Sequence, residues 1–413
     1  MPDGAGDRAV AEPSAATDAP RLADLTTLRV GGPARRVVVA TTVDDVVQTA
    51  LGAWADDEPL LVLGGGSNVV AGDEGFDGTV LVVATRGIER LSAAVHANGG
   101  PPSSPEDRLR SLERSLRPPQ QREEVRVRVQ AGESWDALCA EAVRQGWSGI
   151  EALSGVPGSC GAAPIQNIGA YGQELAATLA AVEFLDRETG TVRRLPASEL
   201  RLGYRTSVFK QGLAGVVLAV ELLLHRAVGD GPVLSSPIAY AQLADALGVP
   251  LGARVPIAAL RDTVLELRRG KGMVLDDRDP ESVSVGSFFT NPIVTERFAR
   301  TLPRDAPRFP TSGDEPDVVV PLGAALPQRP DRDGEPRVKL SAAWLIEHAG
   351  VQRGFRLPGS DAHISRKHTL AIVNGGHATA AQVLELARYI QQRVQSEFGV
   401  ILQPEPTLVG AFV

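Results

Sequence analysis

Three side chains of this chain stand where reactive chemistry is plausible. Arg205 lies in the turn-prone peptide Gly203-Tyr204-Arg205-Thr206-Ser207. There a guanidinium can clamp a carboxylate or phosphate through paired hydrogen bonds; a surface arginine in an ordinary salt link fits the same peptide. Ser287 lies in Gly286-Ser287-Phe288-Phe289-Thr290-Asn291, where glycine and two aromatics suit a half-buried hydroxyl able to donate a proton. A helix-capping or turn hydroxyl is the plainer alternative. No G-x-S-x-G elbow surrounds it, which disfavours a hydrolase nucleophile. Glu405 sits between Pro404 and Pro406. Prolines fix φ and hold a carboxylate on a stiff support, although a solvated glutamate near the C-terminus is what composition alone favours.

These candidates need a scaffold, and two glycine-rich stretches offer one. The first follows the apolar run LLVL: Gly64, Gly65, Gly66, Ser67 and Asn68. The second is LSGVPGSCGAAPIQNIGAYGQEL, residues 153–175, with Gly155, Gly158, Gly161, Gly169 and Gly172 spaced by Pro157 and Pro164. Glycine lets backbone approach a ligand that side chains would keep away. The expected use is a cofactor loop whose N–H groups face an anion such as a diphosphate; an irregular surface loop is the alternative. A nicotinamide-type fingerprint G-x-G-x-x-G opening a long helix is absent. Lys271, between Gly270 and Gly272, suits a phosphate contact or a solvated lysine. His363 and His368 lack the spacing and the third ligand of a zinc site, so no metal is expected. Cys160 reads as a small packing residue.

The composition bounds the rest. The chain has 413 residues, 43% hydrophobic and 22% charged, with a net charge of −8. That is ordinary for a globular protein of two or three domains, and it disfavours general nucleic-acid binding. No apolar run is long enough to span a membrane. The two cysteines, Cys139 and Cys160, give no disulfide framework, and the N-terminus carries no secretory pattern, so a cytoplasmic protein is expected. Residues 1–20 read as a tail. Two stretches rich in proline and charge, near 93–124 and 302–337, read as polar insertions.

The remaining elements are short and mixed. Strands are expected at Arg36–Ala40, Thr79–Ala84, around Val125, Val127 and Val129, at Val182–Leu185 with Thr191–Leu195, at Gly215–His225, Thr369–Asn374 and Val400–Leu402. Helices are expected over Val43–Trp54, capped by Thr42 with Asp45, from Ser134 to Gly146, after Pro256, over Lys339–His348 and over Ala380–Phe398. This is an α+β pattern without regular βαβ alternation.

Taken together and in this order, the motifs resemble the UDP-N-acetylenolpyruvoylglucosamine reductase family. The resemblance rests on TTLRVGGPA (26–34), LGGGSNVV (63–70), AGESWDAL (131–138), SGVPGSCGAAPIQNIGAYG (154–172), GYRTSVFK (203–210), VGSFFTNP (285–292), KLSAAWLIEHAG (339–350), KHTLAIVN (367–374) and QPEPTLVG (403–410). It implies a two-subdomain FAD-binding fold of the vanillyl-alcohol-oxidase type, over 21–228, plus a separate α+β substrate-binding domain, over 229–398. The segment 399–413 would return to the active site.

The resemblance also implies non-covalent FAD, held by Gly64, Gly65, Gly66, Ser67, Asn68, Gly158, Ser159, Gly161, Gly169 and Tyr171. Arg205, Ser287 and Glu405 would be catalytic. Tyr240, Lys271 and Asn291 would contact substrate, with 234–272 as a closing loop. NADPH would reduce the flavin, and the flavin would pass hydride from N5 to C3 of UDP-N-acetylglucosamine enolpyruvate. Ser287 would protonate C2 while Arg205 and Glu405 stabilise the enolate, giving UDP-N-acetylmuramate. A monomer is expected. Another FAD oxidase of the same fold and a silent UDP-sugar binder are the competing readings; the serine in GSFFTN and the glutamate in QPEP favour the reductase.

Overall fold

The computed structural model describes residues 20–91, 122–227, 231–310 and 336–411. The tail and most of both polar stretches lie outside the described residues. The described flanks of those stretches are regular: Arg122–Gln130 and Arg308–Pro310 are strands. Polar composition at 122–124 and 308–310 therefore did not signal a loop, because these are the ends of strands paired with 225–227 and 338–340.

Near the N-terminus a small parallel sheet runs in the order Ala34–Ala40, Phe76–Val83, Leu60–Leu63. The helix Val43–Ala55 packs on it through Val46 and Ala50. Its start carries the expected capping box: Thr42 Oγ1 accepts from Asp45 N, and Asp45 accepts from Thr42 N. Two orphan amides of the first turn are satisfied that way. The middle strand begins at Phe76, ahead of Gly78.

The larger antiparallel sheet has the order Val192–Pro196, Leu179–Asp186, Gly215–Ala227, Arg122–Gln130, Ile88–Leu91. Val125, Val127 and Val129 point into one core with Phe184, Val220, Leu222 and Leu224, against Trp135 and Leu138 of the helix Trp135–Arg144. The alternation that marks this strand in the sequence is the alternation of its two faces.

The opposite face carries a lattice of charge. Glu221, only 5% exposed, binds Arg126 and accepts from Arg194 Nε at 2.8 Å; Arg128 reaches across the intervening strand Gly215–Ala227 to pair with Glu183. The Arg194 hydrogen bond, then that of Arg126, hold the Glu221 carboxyl below its ordinary pKa against the opposing effect of burial. Its contribution to stability is therefore present above the unfolded carboxyl value and lost as pH falls through the lower folded value. Because both arginines are partly exposed, screening limits the effect. Glu221→Ala should cost about 1–2 kcal/mol at neutral pH. Urea unfolding should show that difference shrinking below about pH 4.

The C-terminal half builds its own core around the helix Ala380–Phe398, with Val383, Leu386, Ile390 and Val394 buried and Gly399 closing it in the left-handed region. An N-terminal strap ties it to the rest. Leu28 and Val30 enter this core, Thr27 Oγ1 donates to Ser284 O at 2.7 Å, and Asp73 accepts from Ala380 N and Ala381 N at 2.8 and 2.9 Å. A carboxylate at a helix N-terminus opposes the helix dipole. A smaller core joins the helices Ala241–Leu247 and Ile257–Gly270 to Ala152 and Tyr171.

Two expectations fail here. Lys339 and Leu340 do not begin a helix. They end the strand Arg337–Leu340, and the helix starts at Ala342 because Ser341 caps it by accepting from Trp344 N. Val400–Leu402 is not a ladder strand either. Val400 and Leu402 are buried, but among the described residues no strand pairs with them; the terminal strand is Thr407–Val409, parallel to Val69–Ala71.

Among the described residues no helix is long and apolar enough to cross a membrane.

Candidate functional site

The two glycine stretches meet back to back. A Cβ on Gly65 would fall 2.9 Å from Gly158 Cα, and one on Gly64 would fall 2.0 Å from Ser159 Oγ. Ser67 Oγ donates to Pro157 O at 3.1 Å. Together they wall one side of a cavity of about 1050 Å³. Among the described residues the N–H groups of Gly65, Gly66, Ser67 and Gly158 donate to no protein acceptor. A wall with few side chains and unclaimed N–H groups fits a large planar cofactor bearing phosphate.

Gly64, Gly65, Gly66, Ser67, Asn68, Gly158, Ser159, Gly169 and Tyr171 all line this cavity. Gly161 does not. Its N–H donates to Ala131 O at 2.8 Å, and a Cβ there would sit 2.5 Å from Ala131 Cβ. It is a packing glycine that lets the loop lie against the end of the sheet. Cys160 beside it is buried, and burial pushes its thiol well above the usual range.

Arg205, Ser287 and Glu405 come from three distant parts of the chain and line the same cavity. The segment after Ser287 pairs with the segment carrying Glu405: Glu405 N donates to Phe288 O at 2.9 Å, and Thr290 N donates to Gln403 O at 3.0 Å. Arg205 has φ +54, a costly conformation for a non-glycine residue. Its Nη2 donates to Gly169 O at 2.9 Å. Its Nε lies 3.1 Å from Glu405 Oε1, but the N–H is not directed at that oxygen, so the contact is an ion pair without a hydrogen bond. The Ser287 hydroxyl makes no hydrogen bond among the described residues. Burial raises the Glu405 carboxyl above its ordinary value, against the opposing pull of Arg205, Lys210 and Gln166. It is therefore the lining carboxyl best suited to holding a proton.

Asn167 and Tyr171 also adopt positive φ, 49 in each case. Asn167 is buried and fully engaged: Nδ2 donates to Glu174 Oε2 and Gly203 O at 3.1 Å, while Oδ1 accepts from Ala176 N at 2.9 Å. It ties the second glycine loop to the turn that presents Arg205.

The far wall is cationic. The Tyr171 and Tyr240 rings meet edge to face at 5.5 Å, Lys271 Nζ lies 5.7 Å from the Tyr171 centroid, and the same Nζ donates to Gln242 Oε1 at 2.8 Å. Asn291 lines the cavity, but its Oδ1 is taken by Ala342 N at 2.9 Å and its N–H by Tyr204 Oη at 3.3 Å. Arg268, Lys210, Tyr204 and His368 also line the cavity. Arg268 is 5% exposed; its Nη2 donates to Met273 O, and its Nε has no partner among the described residues. Burial, then Lys271, Arg268 and Arg353, push the His368 pKa down to about 4, so its imidazole is neutral at pH 7. His363 instead points to Glu281, 3.5 Å away, and is not part of the cavity wall.

Sequence reasoning missed Arg268 and His368. For Arg268 a signal existed: it lies four residues after Val264 and eight after Leu260, on the apolar face of its helix, where an arginine must be placed for a reason. His368 has no such signal.

Comparisons with known proteins point to one family. Residues 279–409 match the model described as UDP-N-acetylenolpyruvoylglucosamine reductase, C-terminal domain, and residues 109–196 match the FAD binding domain model. A protein of Leifsonia xyli subsp. xyli named UDP-N-acetylenolpyruvoylglucosamine reductase is 55% identical, over 95% of this chain and 99% of its own length. One of the same name from Saccharopolyspora erythraea is 45% identical over 94% of each. The crystal structure of UDP-N-acetylenolpyruvylglucosamine reductase from Thermus caldophilus superposes with a TM-score of 0.55 at 26% identity, covering 94% of this chain and 97% of the other.

Proposed function

The chain belongs to the UDP-N-acetylenolpyruvoylglucosamine reductase family, and from that premise we propose that it reduces UDP-N-acetylglucosamine enolpyruvate to UDP-N-acetylmuramate with electrons from NADPH. It is an FAD-dependent oxidoreductase of peptidoglycan precursor synthesis. The finer reading is carried by one observation: the pairing of residues 288–290 with 403–405, which brings Ser287 and Glu405 to one cavity with Arg205 beside the two glycine loops.

Bound FAD, which the walls at 64–68 and at Gly158, Ser159, Gly169 and Tyr171 would hold, supplies the two-electron chemistry that lets NADPH and the sugar react in turn at one cleft. The protein's own groups do the rest. Arg205 faces the substrate carboxylate and stabilises charge that develops there as C3 is reduced. Glu405, whose pKa burial raises, would donate a hydrogen bond to the same carboxylate in its protonated form. Ser287 Oγ delivers its proton to C2. Tyr240 and Lys271, with Arg268 behind them, receive the diphosphate and exclude water, while Asn291 mainly fixes Tyr204 and the helix start at Ala342. The FAD-binding part would span 21–228, the substrate-binding part 229–398, and 399–413 would bring Glu405 back to the site. The enzyme works in the cytoplasm as a monomer.

The test is an anaerobic titration followed by absorption. Flavin bands should bleach with NADPH and return with the enolpyruvyl sugar. Bleaching without return would move the substrate to that of another flavin oxidoreductase. No flavin bands, even after FAD is added, would overturn the reading of the glycine loops.

A further inference from the structure

Glu405 is gripped at two points by a pair of amides from the two glycine loops. Asn68 Nδ2 donates to Glu405 O at 3.4 Å and to Gln166 Oε1 at 3.0 Å; Gln166 Nε2 donates to Glu405 Oε1 at 3.2 Å. The direction of this chain of hydrogen bonds is determined. The Glu405 carbonyl can only accept, so Asn68 must turn its NH2 toward it. That places the NH2 of Gln166, and not its oxygen, against the carboxyl. Asn68 is held in turn because its own carbonyl accepts from Thr407 N at 2.9 Å. The main chain and side chain of Asn68 thus both hold the 405–407 segment.

The consequence for the carboxyl is asymmetric. Oε1 receives Gln166 Nε2 and lies 3.1 Å from Arg205 Nε, whereas no partner of Oε2 occurs among the described residues. We propose that Gln166 is the positioning residue for Glu405, turning the carboxyl so that Oε1 stays an acceptor and Oε2 faces the substrate carboxylate. Asn68 sets the polarity of this relay, which gives it a task beyond lining the flavin loop. This inference rests on Glu405 acting in the reduction, as proposed above.

The groups facing Glu405 are Arg205 and Lys210 from one loop, Tyr204 beside them, and Gln166 from the other. The Gln166 hydrogen bond stabilises the carboxylate and lowers the Glu405 pKa. Its loss must therefore move that pKa further up. Two variants test this. Gln166→Leu removes the donor. Gln166→Glu keeps the shape and sets an acceptor against an acceptor.

The first readout is the side-chain 13C titration of Glu405, assigned by its absence in Glu405→Gln. It should move to higher pH in both variants. The second is the pair of half-reactions by stopped flow. Flavin reduction by NADPH should stay within about twofold, and reoxidation by the enolpyruvyl sugar should slow on the order of 10- to 100-fold, the penalty of a misaimed group. An unmoved titration, or equal slowing of both half-reactions, overturns the proposal. If Glu405→Gln itself reoxidises at full speed, the parent reading of Glu405 fails instead, and the 13C titration still decides whether Gln166 holds the carboxyl.

Discussion

Ser287→Ala should leave the bleaching of the flavin by NADPH unchanged and slow its return with the enolpyruvyl sugar by about 10²- to 10⁴-fold, the range of a lost general acid. The structure makes this variant unusually clean. The Ser287 hydroxyl holds no protein partner among the described residues, so its removal strands no buried donor or acceptor. The strand Ser284–Ser287 keeps its place because its pairing with Ala371–Asn374, and the Phe288 N–H bond to Leu370 O at 2.7 Å, are all main-chain. Unfolding midpoint and FAD content should match the parent within error. A hydroxyl is a weak acid, but the carbon it protonates would carry the charge of an enolate, so the transfer runs downhill once reduction has begun. Stopped-flow traces in which both half-reactions slow together would remove Ser287 from the proton-donor role and make it a flavin contact.

Why the sequence showed this serine as a candidate, but not what it meets, follows from where each interaction comes from. Local patterns were legible. The Thr42–Asp45 box, the alternation at Val125, Val127 and Val129, and the face of Val383, Leu386, Ile390 and Val394 are each decided within a few residues. The pairing that builds the site is not local. Phe289 meets Pro404, and Thr407–Val409 lies beside Val69–Ala71; nothing in either peptide announces its partner.

For the same reason the last strand was expected at 400–402. Val400 and Leu402 alternate as a strand should, but among the described residues they pack into the core beside the helix Ala380–Phe398, whose Gln391 Nε2 donates to Leu402 O at 2.8 Å. The positive φ of Asn167, Tyr171 and Arg205 was equally hidden. Glycine advertises such a backbone, whereas these residues are forced into it by tertiary bonds such as those of Asn167. Gly161 is the converse: it stands in the glycine motif, and its neighbour is Ala131 rather than the cavity.

Gly65→Val should weaken FAD binding by about 10- to 100-fold while the apoprotein still folds. The added Cβ would lie 2.9 Å from Gly158 Cα and 3.3 Å from Gly158 C. These are backbone atoms, so no rotamer change relieves the contact; one glycine loop must move off the other. Overpacking of this kind costs typically 1–3 kcal/mol, and a tenfold change in Kd corresponds to about 1.4 kcal/mol. The strain falls where the two loops jointly wall the cavity, so it is charged mainly against the bound state.

Gly66 makes the useful contrast. It has φ +59, and a Cβ there would meet Leu25 O at 2.0 Å, in the N-terminal strap, so Gly66→Val should lower the unfolding midpoint whether or not FAD is present. Gly52, with nothing within 4 Å of an added Cβ, serves as the control in which neither quantity falls. Flavin retained per chain after gel filtration and the quenching of FAD fluorescence on titration measure the first effect, and urea unfolding of the apoprotein measures the second. If Gly65→Val binds FAD as tightly as the parent, the contact between the two loops does not shape the flavin site. If it loses flavin only in proportion to its loss of stability, Gly65 belongs with Gly66 as a folding residue.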